Sequence, residues 1–514
     1  MADRRRPRAL TETLWPALLI LAAGLWAYHN SFSVPFLLDD EPFIVDNPHL
    51  RSPLTAVALL PPRGDSSWRP VLMLSLAANY ALGGLDVRGY HAVNLAIHLL
   101  AALLLYGLVR RTLGTIRLRA RYGAHAPWLA LAAALLWVAH PLNTQSVSYV
   151  VQRGESLAGL WYLLTLYGLV CMATTKRWRR WAAVSIAACA LGMGTKPVMA
   201  TAPLMAAAYD RIFLARNWRD LFRRRRWFYT GLASTWLLLA VCLLRTPATD
   251  DPTSGFHLAR ISPLTYALTQ PGVILHYLRL ALWPHPLCFD YGWPVIERLR
   301  DALPSLWGLA ALLGATGWAL RRRPSLGFLG LWFFLVLLPT SSVIPLADPA
   351  FEYRMYLPLA AVVTLAVLGV WHGFERTVSA PPTRRTLGVG LTTLAVGSLV
   401  WVTVCRHADY YSAISLWSQT VCLRPQNARA HSNLGVALAE AGYLNVAGAR
   451  FIRAIELQPR SVDALYNLGL ARLRQSRPQE AVQPLEEAAR LAPHDAEVQF
   501  ALSRALTQDR RPPK

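Results

Sequence analysis

The most constraining feature of this sequence is a series of apolar stretches, many of them long enough to cross a bilayer, which recurs until about residue 405 and then stops. A bilayer core about 30 Å thick requires roughly 20 apolar residues in a helix, because each residue adds about 1.5 Å. Only 16% of the residues are charged, whereas soluble domains usually carry about 25%. The sequence therefore predicts an all-α fold in which residues 1–405 form a polytopic membrane domain. The eleven predicted spans lie near 13–29, 91–109, 127–141, 155–175, 181–194, 197–210, 227–244, 303–320, 325–344, 356–373 and 386–405.

The positions of the basic residues support this arrangement. With a cytoplasmic N-terminus and alternating spans, 26 of the 38 basic residues before residue 406 lie in predicted cytoplasmic turns. Lys and Arg concentrate in the cytoplasmic loops of membrane proteins. Membrane topology therefore explains the net charge of +23, and nucleic acid is not an expected partner. Segments 30–90, 245–302 and 345–355, and everything after residue 405, are predicted to be external.

Three apolar regions are open to a second interpretation. The first run follows Arg4-Arg5-Arg6 and could be a signal peptide, but no clear cleavage site precedes His29, so we expect a retained membrane anchor. The pair 181–194 and 197–210 could instead be one long kinked segment with a re-entrant turn. The stretch 262–284 is interrupted by polar residues, and we expect it to form an amphipathic helix lying on the external membrane surface.

After residue 405 the sequence changes to a pattern with a period of 34 residues. The recurring residues are Leu423, Leu457 and Leu491, Pro425, Pro459 and Pro493, Asn433-Leu434-Gly435 and Asn467-Leu468-Gly469, and Ala447, Ala454, Ala481 and Ala488. This period, with small residues at fixed places, is typical of tetratricopeptide repeats. Within a domain at 406–514, we expect whole repeats at about 428–461 and 462–495 and flanking helices at 409–424 and 496–508. Such arrays usually bind a protein in their groove, although a short one can instead cover the membrane domain.

The first external segment, 30–90, carries three adjacent carboxylates, Asp39-Asp40-Glu41, shortly after the first predicted span. Like charges raise one another's pKa, which can leave a carboxylate able to accept a proton near neutral pH. This arrangement suits a general base or a ligand of a divalent cation, the one candidate cofactor. The alternative without chemistry is a solvated turn at the membrane surface.

Cationic residues recur at the predicted external boundary of the spans. Arg69, Lys196 and Arg354 could converge on a phosphate group, to which an arginine offers a bidentate fork. Each of them taken singly could equally be an anchor to lipid headgroups. Their location on the side opposite to the cytoplasmic charge favours the first interpretation.

Several motifs, taken in order along the chain, resemble one protein family. They are Leu38-Asp39-Asp40-Glu41-x-x-Ile44-x-x-Asn47-Pro48, Trp68-Arg69-Pro70, Gly89-Tyr90-His91-x-x-Asn94-x-x-x-His98, His140-Pro141 with Val147 through Arg153, Thr195-Lys196, Tyr277-Leu278-x-x-x-x-Trp283-Pro284, and Tyr353-Arg354-Met355-Tyr356-Leu357-Pro358. In this order, ahead of the repeats, they resemble the transmembrane and tetratricopeptide-repeat O-mannosyltransferases and their bacterial relatives. That family belongs to the GT-C superfamily of polytopic glycosyltransferases.

The resemblance implies a membrane glycosyltransferase that moves a sugar, mannose or another hexose, from a polyprenyl phosphate carrier to a hydroxyl acceptor, Ser or Thr of an envelope protein. It implies that Asp39 or Asp40 accepts the proton of the attacking hydroxyl. It also implies that Arg69, Lys196 and Arg354 stabilise the departing phosphate, with inversion at the anomeric carbon. The expected location is a bacterial inner membrane with the repeats in the periplasm, where their groove could select a protein acceptor.

Three positions depart from the pattern of this family. Tyr353 stands where the family usually has His, Pro197 where an acidic residue often follows the Lys, and Gln145 where Glu is common. The way in which the sugar donor is bound could therefore differ from that of the family. The acidic motif Asp39-Asp40-Glu41 is intact.

Two other classes of function remain open at this point. One is a non-catalytic, membrane-anchored repeat scaffold for the assembly of envelope proteins. The other is a transporter or lipid flippase, which needs ionisable residues deep within its spans. The predicted spans contain few such residues, which disfavours transport.

Overall fold

The computed structural model describes residues 6–51, 68–245 and 261–509. These residues form helices joined by turns and loops, with no β-strand among them, which confirms the predicted all-α class. The chain divides by its contacts into a first unit, Met1–Leu287 with Val295–His407, and a second unit, Cys288–Pro294 with Ala408–Lys514. Arg4 and Arg5, and residues 52–67 and 246–260 of two predicted external segments, lie outside the described residues.

In its described part the first unit is built of α-helices, several of which begin with a proline. Proline suits the first helical position because its missing N–H has no helical partner there. The helices are α1 (Arg6–Tyr28), α2 (Pro70–Gly83), α3 (Val87–Leu113), α4 (Arg119–Tyr122), α5 (Ala126–Val138), α6 (Thr144–Ser148), α7 (Arg153–Thr174), α8 (Trp178–Met193), α9 (Ala202–Tyr209), α10 (Trp218–Arg224), α11 (Arg226–Leu244), α12 (Pro263–Leu282), α13 (Leu299–Arg322), α14 (Pro324–Leu337), α15 (Pro358–Thr377) and α16 (Pro381–His407).

Six helices of the described chain are long and apolar enough to cross a membrane, and a pair bent by 52° at residues 138–141 makes up to seven. The six are Val87–Leu113, Val150–Thr174, Arg226–Leu244, Leu299–Arg322, Pro358–Thr377 and Pro381–Tyr410. Every one of the eleven predicted spans overlaps a helix, but α8, α9 and α14 are shorter than these six, and the apolar part of α1 is limited to Leu14–Tyr28. A multi-pass membrane domain is therefore established, while a count of eleven crossings stays a prediction.

Two helices of the first unit bear on the predicted external segments. Helix α2 lies within the segment 30–90, and its 14 residues are too few to be recognised as a span from the sequence. Helix α12 coincides with the stretch 262–284, and its buried face includes Tyr266, Gln270 and Tyr277. Its location on the membrane surface stays a prediction.

The ends of the spanning helices meet in two separate groups. In one group the Asn30 side chain donates to the carbonyl of Val404 at 3.0 Å, and Thr403 donates to the carbonyl of Ala139 at 2.8 Å. In the other group the Arg117 guanidinium donates to the carbonyl of Ile212 at 2.7 Å. Alternating helices therefore bring the acidic loop and the predicted cytoplasmic arginines to opposite ends of the first unit.

The second unit contains the helices of the repeat region: α17 (Ala413–Leu423), α18 (Ala428–Glu440), α19 (Leu444–Leu457), α20 (Val462–Arg474), α21 (Pro478–Leu491) and α22 (Ala496–Asp509). The first helix of each repeat is capped by a side chain that accepts a backbone N–H three residues on. These caps, Asn427, Ser461 and Asp495, stand 34 residues apart. A Cβ at Gly435 or Gly469 would collide with Phe451 or Leu485 of the next helix, which explains why glycine recurs there.

The segment Cys288–Pro294 packs within the second unit although it is distant from it in sequence. The Asp290 carboxylate accepts from Arg429 Nε at 2.8 Å, and the Asp290 carbonyl accepts from the Asn427 amide at 3.3 Å. Burial alone would raise the pKa of Asp290, but the Arg429 guanidinium holds it below its usual value. Arg424 also lies over the ring of Tyr291 at 5.1 Å.

We expect Arg429→Gln to destabilise the second unit by about 1–3 kcal/mol, because the buried Asp290 carboxylate would lose its charged partner. The control is Arg460→Gln, which removes the same charge from an exposed position of the same unit. Thermal unfolding of the full-length variants, followed by limited proteolysis of the repeat region, measures the difference. Equal unfolding temperatures for the two variants would show that the Asp290–Arg429 pair does not stabilise this unit.

Candidate functional site

The acidic loop, residues 34–51, is folded onto helix α2. It contains a π-helical turn at Glu41–Val45 and a 3-10 turn at Pro48–Arg51. Ile44 and Leu50 are buried against Leu72 and Leu76 of α2, so apolar packing holds the loop in place. The loop is therefore packed in place, while Asp39, Glu41 and Asp46 remain exposed on its surface.

The backbone just before the carboxylates is strained. Leu38 has a φ of +48°, in the left-handed region that a residue with a side chain rarely adopts. Such a conformation costs about 1–3 kcal/mol and persists where the surrounding structure enforces it. Here the Asp40 N–H donates to the Leu37 carbonyl at 2.9 Å and closes the turn. The strained turn leaves the side chain of Asp39 exposed and that of Asp40 buried.

The two aspartates consequently have different environments. Both carboxylate oxygens of Asp40 accept backbone N–H groups, one from Leu37 at 3.0 Å and the other from Val151 at 2.7 Å. Asp40 has no exposed surface, and burial raises its pKa to about 8 even though these donors oppose the shift. Asp39 is exposed, so its carboxylate is open to an approaching molecule.

Tyr149, which is not among the predicted site residues, lies directly beside Asp39. Its hydroxyl accepts the backbone N–H of Asp39 at 3.0 Å and also interacts with the Asp39 carboxylate. Burial and the two neighbouring carboxylates raise the pKa of Tyr149 well above its ordinary value. The neutral phenol therefore holds Asp39 in position. The only sequence signal for this role is its place within the run from Val147 to Arg153.

Arg153, at the start of helix α7, is fully buried and joins three parts of the chain. Its guanidinium donates to the Asn94 side chain at 2.5 Å, the Ser75 carbonyl at 3.0 Å and the Tyr90 carbonyl at 3.1 Å. These contacts connect α7 with α2 and α3, next to Val151, which binds Asp40. Arg153 thus holds in place the stretch that binds Asp40, and because it is fully buried it is not open to a ligand.

Lys196 is held between an acid and an aromatic ring. Its ammonium lies 2.7 Å from the Glu155 carboxylate and 4.8 Å from the centre of the Tyr353 ring. Burial lowers the pKa of Lys196 to about 8, although Glu155 favours the charged form. The charges of Arg69 and Arg354 also lower it. Arg354 follows Tyr353, whose ring faces Lys196, and the chain just after Arg69 bonds Gly194 just before the lysine. The structure therefore brings the three predicted cations together.

The two arginines differ in how far their hydrogen-bonding capacity is used. Arg354 donates to the carbonyls of Pro349 at 2.7 Å and Asp348 at 2.6 Å. Arg69 precedes α2, and its Nε is buried without a hydrogen-bond partner among the described residues. An unpaired buried donor is costly, and a bound anion would satisfy it. Arg69 is therefore the cation of the cluster most open to a ligand.

Close backbone packing holds Arg69 beside Lys196. The N–H of Val71 donates to the carbonyl of Gly194 at 3.0 Å. A Cβ at Gly194 would lie only 2.9 Å from the Val71 side chain, so a larger residue at 194 would push α2 away. The start of α2 and the turn before Pro197 are thus packed directly against each other.

The acidic loop and the cationic cluster both bind the same short stretch of chain, residues 151–155. The acidic loop binds Val151 through Asp40, and the cationic cluster binds Glu155 through Lys196. Four residues along a helix correspond to a rise of about 6 Å. The stretch 151–155 therefore contacts both the turn that bears Asp39 and the cationic cluster, an arrangement that can combine a proton acceptor with positive charge.

The three positions that depart from the family pattern are neighbours in space. The backbone N–H of Tyr353 donates to the side-chain carbonyl of Gln145 at 3.1 Å, and the Tyr353 ring faces Lys196. Pro197 directly follows Lys196 at the start of the 3-10 turn Pro197–Thr201. The substitutions thus affect one surface beside the lysine and leave the acidic loop untouched.

The histidines in the same motifs are engaged in structural hydrogen bonds. His98 bonds the Tyr356 hydroxyl at 2.9 Å and the Val138 carbonyl at 3.0 Å. His140 bonds the carbonyl of Ala281 at 3.2 Å and accepts a backbone N–H through its other nitrogen. His91 bonds the carbonyl of Val34 at 2.9 Å, which ties the acidic loop to α3.

The acidic loop was also a candidate for binding a divalent cation. Both oxygens of Asp40 are occupied by backbone donors, so the three carboxylates do not form a set of free ligands. Among residues 6–51, 68–245 and 261–509 there is no group of three or more His, Cys, Asp or Glu placed to hold a metal. Asp39 and Glu41 are the carboxylates of this trio that remain exposed.

The chain is similar in sequence to several known proteins. A tetratricopeptide repeat model matches residues 444–496. Protein O-mannosyl-transferase TMTC4 of Mus musculus is 26% identical over 493 residues, covering 83% of this chain and 64% of that protein. TMTC4 of Homo sapiens is 25% identical, covering 86% and 66%, and Tmtc3 of Drosophila melanogaster is 26% identical, covering 93% and 58%.

The chain is therefore a relative of proteins named O-mannosyl-transferases, which confirms the resemblance predicted from the ordered motifs. It spans just under two thirds of the length of the mouse and human relatives. Among solved structures, ArnT from Cupriavidus metallidurans bound to undecaprenyl phosphate aligns with a TM-score of 0.41 and 15% identity, over 96% of this chain and 88% of that one. This structural similarity is distant.

Proposed function

We propose that the chain is a membrane glycosyltransferase that moves a sugar, mannose or another hexose, from a polyprenyl phosphate carrier to a hydroxyl group of an acceptor. The observation that carries this proposal is the arrangement around the start of α7, where the exposed carboxylate of Asp39 and the cluster of Arg69, Lys196 and Arg354 share one support. The names of the relatives favour a protein acceptor, and hence Ser or Thr.

The proposed reaction is a single displacement at the anomeric carbon. Asp39 takes the proton of the acceptor hydroxyl while the acceptor oxygen forms its bond to the anomeric carbon. The bond between that carbon and the phosphate oxygen breaks, and the phosphate leaves with the electron pair. Attack opposite to the leaving group inverts the anomeric configuration. Asp40 does not take part in the proton transfer but holds the turn that presents Asp39.

The cations stabilise the negative charge that develops on the departing phosphate. Arg69 has a buried donor with no partner among the described residues, so it is the proposed direct ligand. Lys196 supplies a second positive charge and is oriented by Glu155 and Tyr353. Arg354, bound to two carbonyls, adds charge from a fixed position.

The location and the acceptor complete the proposal. A carrier lipid requires a site at the membrane surface, where the acidic loop and the helix ends meet. We place the protein in a bacterial inner membrane with its N-terminus in the cytoplasm and its acidic loop and repeats on the periplasmic side, as the distribution of arginines indicates. The groove of the repeats is the proposed contact for an envelope protein acceptor.

A comparison of envelope glycopeptides by mass spectrometry tests this proposal. The strains are wild type, a deletion, and the deletion complemented with Asp39→Asn or with the control Asp46→Asn at matched levels. We expect a hexose on Ser or Thr to disappear in the deletion and in Asp39→Asn and to persist in Asp46→Asn. If Asp39→Asn keeps a modification that the deletion loses, the protein supports another transferase as a scaffold.

The role of Lys196 predicts a characteristic pH dependence. Since its pKa lies at about 8, Lys196 loses its charge as the pH rises through that value, and the rate of transfer should fall with it. Lys196→Arg keeps the charge at all these pH values, so the alkaline decline should move upward by more than one pH unit. The measurement is the pH profile of kcat/KM. A decline that remains near pH 8 in Lys196→Arg would contradict this role.

A further inference from the structure

The first unit contains a cavity of about 650 Å³ far from the acidic loop. Its walls come from the C-terminal half of α3, the end of α9 with the turn after it, and helices α14 and α15. The floor is apolar and includes Leu108, Phe213, Phe328, Trp332 and Leu368. From His91, which binds the acidic loop, to Val109 in the cavity wall, α3 rises by about 27 Å. The cavity is therefore separate from the site described above.

The rim of this cavity is strongly basic. It is formed by four exposed arginines: Arg117, Arg121, Arg323 and Arg376. No Asp or Glu lines the cavity in the part of the chain that the structure describes. These arginines lie at the predicted cytoplasmic ends of the spans, the depth at which lipid headgroups are found.

The arginines of the rim are not equally engaged. Arg117 donates to backbone carbonyls, including that of Ala215, and Arg121 lies 3.8 Å from the Glu375 carboxylate. The guanidinium groups of Arg323 and Arg376, unlike their backbones, make no hydrogen bond or ion pair with any residue that the structure describes. Two cations at the mouth of an apolar cavity therefore lack an anion.

We propose that this cavity binds an anionic phospholipid, with one acyl chain on the apolar floor and the headgroup phosphate between Arg323 and Arg376. The charge of the rim selects the anionic headgroup, because a phosphate accepts charge-assisted hydrogen bonds from arginine. The apolar floor selects a lipid over a free phosphate, because Phe213, Phe328 and Trp332 offer an acyl chain contacts that inorganic phosphate cannot use. The site is distinct from that of the proposed sugar carrier and does not depend on transferase activity.

Native mass spectrometry of the full-length protein, purified in a neutral detergent, tests this proposal. The protein is titrated with dioleoyl phosphatidylglycerol and, in parallel, with dioleoyl phosphatidylcholine or inorganic phosphate. We expect one saturable phosphatidylglycerol, bound about tenfold more weakly by the double variant Arg323→Gln/Arg376→Gln. The control Arg321→Gln/Arg322→Gln removes the same charge from exposed neighbours outside the cavity and should bind as wild type does.

Three results would overturn the proposal. Equal binding of phosphatidylcholine would show that the rim charge does not select the lipid. Equal weakening in the two double variants would show a diffuse attraction to the basic surface. Displacement of the lipid by inorganic phosphate alone would show that the apolar floor has no part in binding.

Discussion

Replacing Asp39 by Asn is expected to reduce the rate of sugar transfer by about 10²–10⁴-fold without loss of stability. The amide cannot accept the proton of the attacking hydroxyl, and a general base contributes a factor of this size. The side chain is exposed, and the backbone N–H that binds Tyr149 is retained. We therefore expect the fold to be unchanged. Measurements of kcat and of thermal unfolding on the purified variant separate the two effects.

Asp46→Asn is the matched control for this substitution. Asp46 is exposed in the same loop and carries the same charge, but it lies beyond the π-helical turn that presents Asp39. It should keep wild-type activity. If Asp46→Asn lowers the rate as much as Asp39→Asn does, the loop acts through its overall charge and Asp39 is not the base.

The second large effect is expected from Arg153→Met, which should destabilise the first unit by at least about 3 kcal/mol. Methionine fills the space but removes the three hydrogen bonds that the buried guanidinium donates, and it leaves the Asn94 side-chain oxygen without its donor. A hydrogen bond that involves a charged group contributes about 1.5–3 kcal/mol. Thermal unfolding in detergent, together with the yield of folded protein in the membrane, provides the measurement.

Arg88→Met serves as the control, because Arg88 is exposed near the start of α3 and its side chain makes no contact comparable to those of Arg153. This control should unfold as wild type does. Because Arg153 supports the stretch that binds Asp40, its loss should also disorder the acidic loop, and activity and stability should fall together. An Arg153→Met protein as stable as Arg88→Met would show that the buried guanidinium does not hold α2, α3 and α7 together.

The sequence predicted the features that depend on local pattern. Bilayer-length apolar runs predicted helices such as α3 and α7, and the 34-residue period predicted the repeats, whose glycines at 435 and 469 permit close helix packing. The ordered motifs predicted the relationship to the O-mannosyl-transferases. For the helices and the repeats the responsible interaction lies within one helix or between adjacent helices, so its periodicity is visible in the sequence.

Features that depend on distant contacts were not predictable. From the sequence, Asp39 and Asp40 were equally good candidates for the base. They differ in burial because Asp40 binds the N–H of Val151, more than a hundred residues away. The segment Cys288–Pro294 gave no sign that it packs with the repeat region through Asp290 and Arg429. Helix α2 was missed because its apolar run is too short to indicate a span.

The most direct test of the central claim is transfer in a purified system. The protein in lipid nanodiscs is incubated with a polyprenyl phosphate that carries a radiolabelled hexose and with envelope peptides that contain Ser and Thr. The account predicts that label moves from the lipid to the peptides with wild type and with Asp46→Asn but not with Asp39→Asn. Label that stays in the lipid with wild type, for mannose and other hexoses alike, would contradict the claim that this chain is a transferase using such a donor.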